Sequence, residues 1–183
     1  MNYSELNKQL YHGSDASFSA IDLSKSAQKK DFGRGFYTTT DKNQAEKFAL
    51  LKAKRAHSNK GYIEVFSIND LSGLIIKKFN SANEDWFDFV LYNRGFGKFA
   101  GNLTEIGLND VFDIVIGPVA NDAVGLVLNQ FVAGVYGDPV HAEAKATAIR
   151  LLLTQKLHGQ VFFGTEKAIS RLNFLEVYDV CID

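Results

Sequence analysis

Two short stretches hold the residues best suited to chemistry: Leu10-Tyr-His-Gly-Ser14 and, further on, Asp31-Phe-Gly-Arg-Gly-Phe-Tyr-Thr38. The first pairs an imidazole, able to donate and to accept a hydrogen bond, with a backbone that carries no Cβ. The second sets a flat aromatic behind a glycine-punctuated loop. Other chemistries are poorly served. His12, His57, His141 and His158 are widely spaced and no cysteine pair accompanies them, so no metal site is expected. Cys181, the lone cysteine, falls in an apolar closing stretch and reads as a buried structural residue, not a nucleophile. Gly33-Arg34-Gly35 is too short for a phosphate-cradling Walker loop or a Gly-x-Gly-x-x-Gly turn. That excludes the common nucleotide folds without excluding nucleotide use. Taken singly, His12 reads as a satisfied strand-end histidine and Tyr37 as a core aromatic.

The elements that must position these residues follow from pattern. Lys8 to His12 predicts a first strand ending at Gly13, and residues 14–30 a polar loop with room for one helical turn. The Asp31–Thr40 stretch runs from loop into strand. A helix follows at once, capped by Asp41 with Gln44 completing a capping box. Ala45, Phe48, Ala49, Ala53 and Ala56 share one face of it. Tyr62 to Ile68 and Gly73 to Phe79 predict strands, and Ser81 with Glu84 caps a helix through about Asn93. Asp113 to Gly117 is a buried strand ending in a Gly-Pro turn. Helices are expected from Asn121 to about Ala133 and from an Asp138-Pro139 cap to about Leu157. Gln160 to Phe163 reads as a strand, Thr165 to Leu172 as a short capped helix and Phe174 to Ile182 as a closing strand. Strands and helices mixed without strict alternation imply an α+β fold, with residues 1–183 as one domain.

Composition supports a packed core: 46% of residues are hydrophobic, including 15 Phe and 7 Tyr, too many for a disordered segment. A lone cysteine, an N-terminus without a signal-peptide pattern and the lack of an uncharged apolar run approaching roughly 18 residues predict a cytoplasmic chain without membrane attachment. The net charge of −1 is unevenly spread. Residues 1–60 carry 11 Lys/Arg against 6 Asp/Glu, whereas residues 61–183 carry 9 against 15. A basic first third can attract a dinucleotide or a phosphate backbone, although a solvated helix face is the more usual account of such a charge run.

With the motifs and their order in hand, the chain resembles the diphtheria-toxin-like branch of the ADP-ribosyltransferases, which includes the poly(ADP-ribose) polymerases. In that branch a strand ends in His-Gly and is followed by a Gly-x-Gly-hydrophobic-Tyr strand. A helix containing Ala then begins with polar residues, as here before Gln44-Ala45. The chain is most similar to a bacterial and phage-associated group sharing Asp-Phe-Gly-x-Gly-Phe-Tyr. That group also has an aromatic helix like Trp86 to Arg94 and a segment like Ile116 to Asp122. The resemblance implies a split β-sandwich with flanking helices and NAD as substrate, without a metal. Gly13 would hold the nicotinamide carboxamide through its backbone, His12 a ribose hydroxyl, Tyr37 would stack on the ring, and Arg34 would meet the pyrophosphate.

One signature departs from the pattern. Related enzymes carry a late-strand glutamate beside the nicotinamide ribose, and Gln160 stands at the corresponding place. Glutamine can orient a ribose or an acceptor, but it cannot ionise to steady an oxocarbenium-like transition state. Single transfer therefore fits better than polymer elongation, with Glu143, Glu166 and Glu176 as alternative sources of a carboxylate. The expectation is a mono-ADP-ribosyltransferase acting on a macromolecule, nucleic acid such as RNA ahead of protein. It would serve as an intracellular toxin or phage-defence effector, with an antitoxin protein as partner. The competing expectations are a non-catalytic NAD or ADP-ribose binding module and a plain nucleic-acid binding protein.

Overall fold

The computed structural model describes residues 3–101, 112–118, 122–153 and 159–182. Within them, strands β1 (Leu10–Ser14), β2 (Phe36–Thr38) and β3 (Lys60–Ile68) surround helix α1 (Lys42–Arg55) in the chain. Strand β4 (Ile76–Lys78), helix α2 (Glu84–Leu91), strand β5 (Ile114–Pro118) and helices α3 (Asp122–Val132) and α4 (Ala142–Leu153) follow. Strand β6 (Gly159–Phe163), helix α5 (Glu166–Ile169) and strand β7 (Leu172–Cys181) complete the described elements.

The strands form two sheets, ordered β1-β3-β7 and β2-β6-β5-β4, antiparallel throughout except for the parallel β4–β5 pair. Alternation along β5 and β6 explains the layering. Ile114, Ile116, Val161 and Phe163 face the first sheet and pack with Leu10, Phe36 and Phe66 between the sheets. Val115 and Phe162 point the other way, into a second core built on Trp86, Phe87, Leu128, Phe131 and Leu152 of α2, α3 and α4. Helix α1 covers the outer face of the first sheet through Ala45, Ala49 and Ile63. The order is helix, sheet, sheet, helices.

Small residues set how closely α1 lies on that sheet. A Cβ on Gly13 would stand 2.2 Å from the Ala45 carbonyl oxygen, and one on Gly61 would stand 2.7 Å from the Ala49 carbonyl. Glycine on the strands and alanine on the helix therefore let the two backbones nearly touch at Ala45 and Ala49.

Several expectations are corrected by packing. Asp41 caps α1, accepting from the amides of Asn43 and Gln44 at 3.0 and 3.2 Å. Gln44 does not close the box, because its Oε1 accepts from Thr39 Oγ1 at 2.6 Å. Phe48 is 42% exposed and Ala56 is exposed, so neither belongs to the buried alanine face. The cap of α2 is Asn83, not Ser81, with its side chain on the Trp86 amide at 3.0 Å. That helix passes after Leu91 into a π turn, Tyr92–Phe96. Asp138-Pro139 forms a turn ahead of α4, where the Asp138 side chain accepts from Val140, and the helix itself starts at Ala142. The Gly73–Phe79 strand shrinks to Ile76–Lys78. Cys181 is exposed, near the end of β7, the outer strand of its sheet among the described residues. The starting residue Asn121, the far end Leu157 and His158 lie outside the described residues. No helix among the described residues is long and apolar enough to cross a membrane.

Candidate nucleotide site at the split between the sheets

Strands β1 and β2 belong to different sheets and meet at one bridge, Tyr11 with Thr39, closed by amide–carbonyl bonds of 2.8 and 2.9 Å. Beyond that bridge they part. The Tyr37 carbonyl lies two residues from Thr39 and so points to the same side. With no strand opposite, it takes the His12 ring instead, Nδ1 to oxygen 2.6 Å. A carbonyl only accepts, so Nδ1 carries the proton and Nε2 presents a lone pair. The ring stacks on Phe36, centroids 4.6 Å apart, and meets Phe18 edge-on. Burial, and then the charge of Lys52, hold its pKa down at about 3, so His12 is neutral across the physiological range.

A cavity of about 440 Å³ opens in this split. His12, Gly13, Tyr37 and Gln160, drawn from three strands, all line it. The Tyr37 hydroxyl donates to the Gly33 carbonyl at 2.6 Å and accepts from the Phe32 amide at 3.1 Å. Gly33 adopts φ +92, a left-handed conformation that favours glycine, and this turn fixes the ring. Burial raises the phenol's pKa well above the usual range, so it stays protonated. The ring packs on Phe32 and Phe162, and the Lys30 ammonium lies over it, 4.9 Å from its centroid. Gln160 sits on β6, and its Oε1 is buried without a hydrogen-bond partner among the described residues.

The lining is cationic. Among the described residues, Lys29, Lys30, Lys52, Arg55 and Arg94 reach the cavity against a single carboxylate, Asp31. Asp31 is held by Arg94 at 2.6 to 2.7 Å. Arg34 does not line this cavity. Its guanidinium donates to the Ser24 and Ser26 carbonyls at 3.0 and 3.1 Å, fastening the loop ahead of β2. Glu143, Glu166 and Glu176 are exposed and none lines the cavity.

Two residues without a sequence signal of their own stand beside His12 instead: Lys52 lines the cavity, and Glu64 does not. Lys52, from the last turn of α1, donates to the Gly13 carbonyl at 2.7 Å and lies 3.4 Å from His12 Nε2. Glu64, opposite His12 in the β1–β3 register, is fully buried. Ser14 Oγ lies 3.0 and 3.2 Å from its two oxygens and 2.7 Å from the Ala16 carbonyl. One hydroxyl proton cannot serve both neighbours. A protonated Glu64 resolves this by donating to Ser14, which then donates to Ala16. Burial accordingly pushes the Glu64 pKa up to about 7. In sequence Glu64 looks like the solvent-facing position of an alternating strand, and only tertiary packing on its face of β3 buries it. Lys52 looks like part of a solvated helix face.

A mixed α+β architecture with a cationic cavity where two sheets part is the class that fold and site define. The chain belongs to the DUF3990 family, described as a protein of unknown function, whose profile matches residues 8–174. No curated protein and no solved structure matches it.

Proposed function

We propose that the cavity binds NAD and that the chain transfers a single ADP-ribose from it to a macromolecule. The observation that supports this best is the convergence of His12, Gly13, Tyr37 and Gln160 on one cavity with five cationic side chains. These four positions are the ones that the resemblance to the diphtheria-toxin-like ADP-ribosyltransferases singles out. A β-sandwich split between β1 and β2 is the architecture that resemblance implies. In the reaction the bond between the ribose C1′ and the nicotinamide nitrogen breaks, and nicotinamide leaves with that electron pair. An acceptor oxygen or nitrogen bonds C1′ and loses its proton to solvent. His12 Nε2 would accept from a ribose hydroxyl, the Gly13 backbone would hold the carboxamide, and Gln160 Oε1 would orient ribose or acceptor. Lys29, Lys30, Lys52 and Arg55 all come from the basic first third of the chain, which favours a nucleic-acid acceptor such as RNA over protein. An intracellular toxin or defence effector with an antitoxin partner is the setting this activity suggests.

A second reading has its own support. The one carboxylate among the described lining residues is tied to Arg94, and Gln160 cannot ionise, so a non-catalytic NAD or ADP-ribose binding module fits the same cavity. Labelled NAD incubated with the protein and a cell extract, followed by nuclease or protease digestion, separates the readings. Label released by nuclease identifies a nucleic-acid acceptor, and label released by protease identifies a protein. Binding without transfer favours the module, and neither binding nor transfer refutes both. Gln160→Glu restores an anion beside the scissile bond and should raise hydrolysis of NAD to free ADP-ribose by about tenfold or more. Hydrolysis unchanged in a variant that still binds NAD would remove residue 160 from the site.

A further inference from the structure

A second cavity, of about 340 Å³, lies beside the first and is formed largely by the loop between β1 and β2. The two share four lining residues: His12, Lys30, Tyr37 and Lys52. Both shared cations lack a carboxylate partner among the described residues. Burial lowers the pKa of both. The charge of Lys30 lowers that of Lys52 further while Asp15 and Glu64 pull it back, and Asp31 raises that of Lys30, none of these carboxylates forming an ion pair with the lysine it acts on. Two ammonium groups on a shared wall repel each other, and an anion between them relieves that repulsion. Arg34, the cation expected from sequence to meet a pyrophosphate, is committed to the loop backbone.

We infer that Lys30 and Lys52 form a pyrophosphate site at the junction of the two cavities, so that a dinucleotide lies across it with one half in each. The inference rests on the NAD reading for its ligand, but the anion site stands on its own geometry. It also couples the phosphates to the nicotinamide end. Lys52 covers the Gly13 carbonyl and the His12 Nε2 lone pair, and Lys30 covers a face of Tyr37. These are the groups that would receive the carboxamide, the ribose hydroxyl and the ring. Drawing both ammonium groups onto the pyrophosphate uncovers all three. Phosphate binding thus readies the nicotinamide pocket, and free nicotinamide, lacking phosphates, has to compete with the lysines.

Calorimetry on the full chain tests this with inorganic pyrophosphate and, separately, with NAD. Wild type should bind pyrophosphate, and NAD should compete with it. Lys30→Gln and Lys52→Gln should each weaken pyrophosphate binding by about tenfold or more, the loss typical of one charged hydrogen bond, and Lys52→Arg should retain most of it. Lys30 lies on an exposed loop, so Lys30→Gln remains informative if Lys52→Gln fails to fold. Pyrophosphate binding that both glutamine variants leave unchanged, or no pyrophosphate binding at all, overturns the site. If NAD still binds in that case, the NAD reading survives alone. Lysine-dependent pyrophosphate binding without NAD binding has the converse meaning: the anion site stands and the dinucleotide reading falls.

Discussion

Glu64 and His12 face each other in register on neighbouring strands and titrate in opposite senses. His12 is depressed from 6.5 to about 3, so the stability it contributes is complete above about pH 6.5 and lost as pH falls towards 3. Glu64 is raised from 4.5 to about 7, so its contribution is complete below about pH 4.5 and lost as pH rises towards 7. Between these limits the two slopes oppose and flatten the profile. Glu64→Gln keeps the bond to Ser14 and removes one slope. Relative to wild type, the variant should gain stability on going from pH 4 to pH 8, by on the order of 3 kcal/mol for a shift of this size. Urea denaturation across that range measures it. A difference that does not change with pH would mean that Glu64 does not titrate in the folded protein.

At the level of elements, the seat of the site is the contact of α1 with β1 and β3. Nothing but hydrogen fits on Gly13 opposite the Ala45 carbonyl. Gly13→Ala should therefore push the helix away or buckle the strand end, at a cost of at least about 2 kcal/mol. Because Lys52 rides on the same helix, displacement should also break its bond to the Gly13 carbonyl. Thermal melting reads the stability loss, and an alanine variant that melts like wild type would contradict the close packing. The same contact gives Gly13 a structural reason to be glycine that is independent of any ligand. Its smallness alone does not argue for a nicotinamide pocket.

For the whole molecule, the decisive property is where the charge sits. A chain of net charge −1 gathers five cations around one cavity from the β1–β2 loop, α1 and the turn after α2. A concave wall of one sign raises the local concentration of anions, and dissolved salt screens it. The affinity for NAD should therefore weaken about threefold or more between about 50 and about 500 mM salt. A salt titration by calorimetry measures this, and a flat response would place the cations away from the ligand's phosphates.

Periodicity and punctuation are enough to place most of the elements. Alternation in Tyr62 to Ile68, the polar start of α1 at Asp41 and the buried run Ile114 to Gly117 are local signals, and local sterics and capping act on them directly. The motif residues His12, Gly13, Tyr37 and Gln160 are likewise visible, because an ordered set of residue types survives without knowledge of where the strands go. Long-range pairing decides the rest. A glutamate in a strand looks the same whether its face meets water or the rest of the fold, and only tertiary packing buries Glu64. The α1 lysine becomes part of the site only because glycines on two strands let the helix descend onto them. Arg34 leaves the site for the converse reason. Its nearest acceptors are carbonyls of the loop it closes, and no spacing rule encodes where that loop folds back.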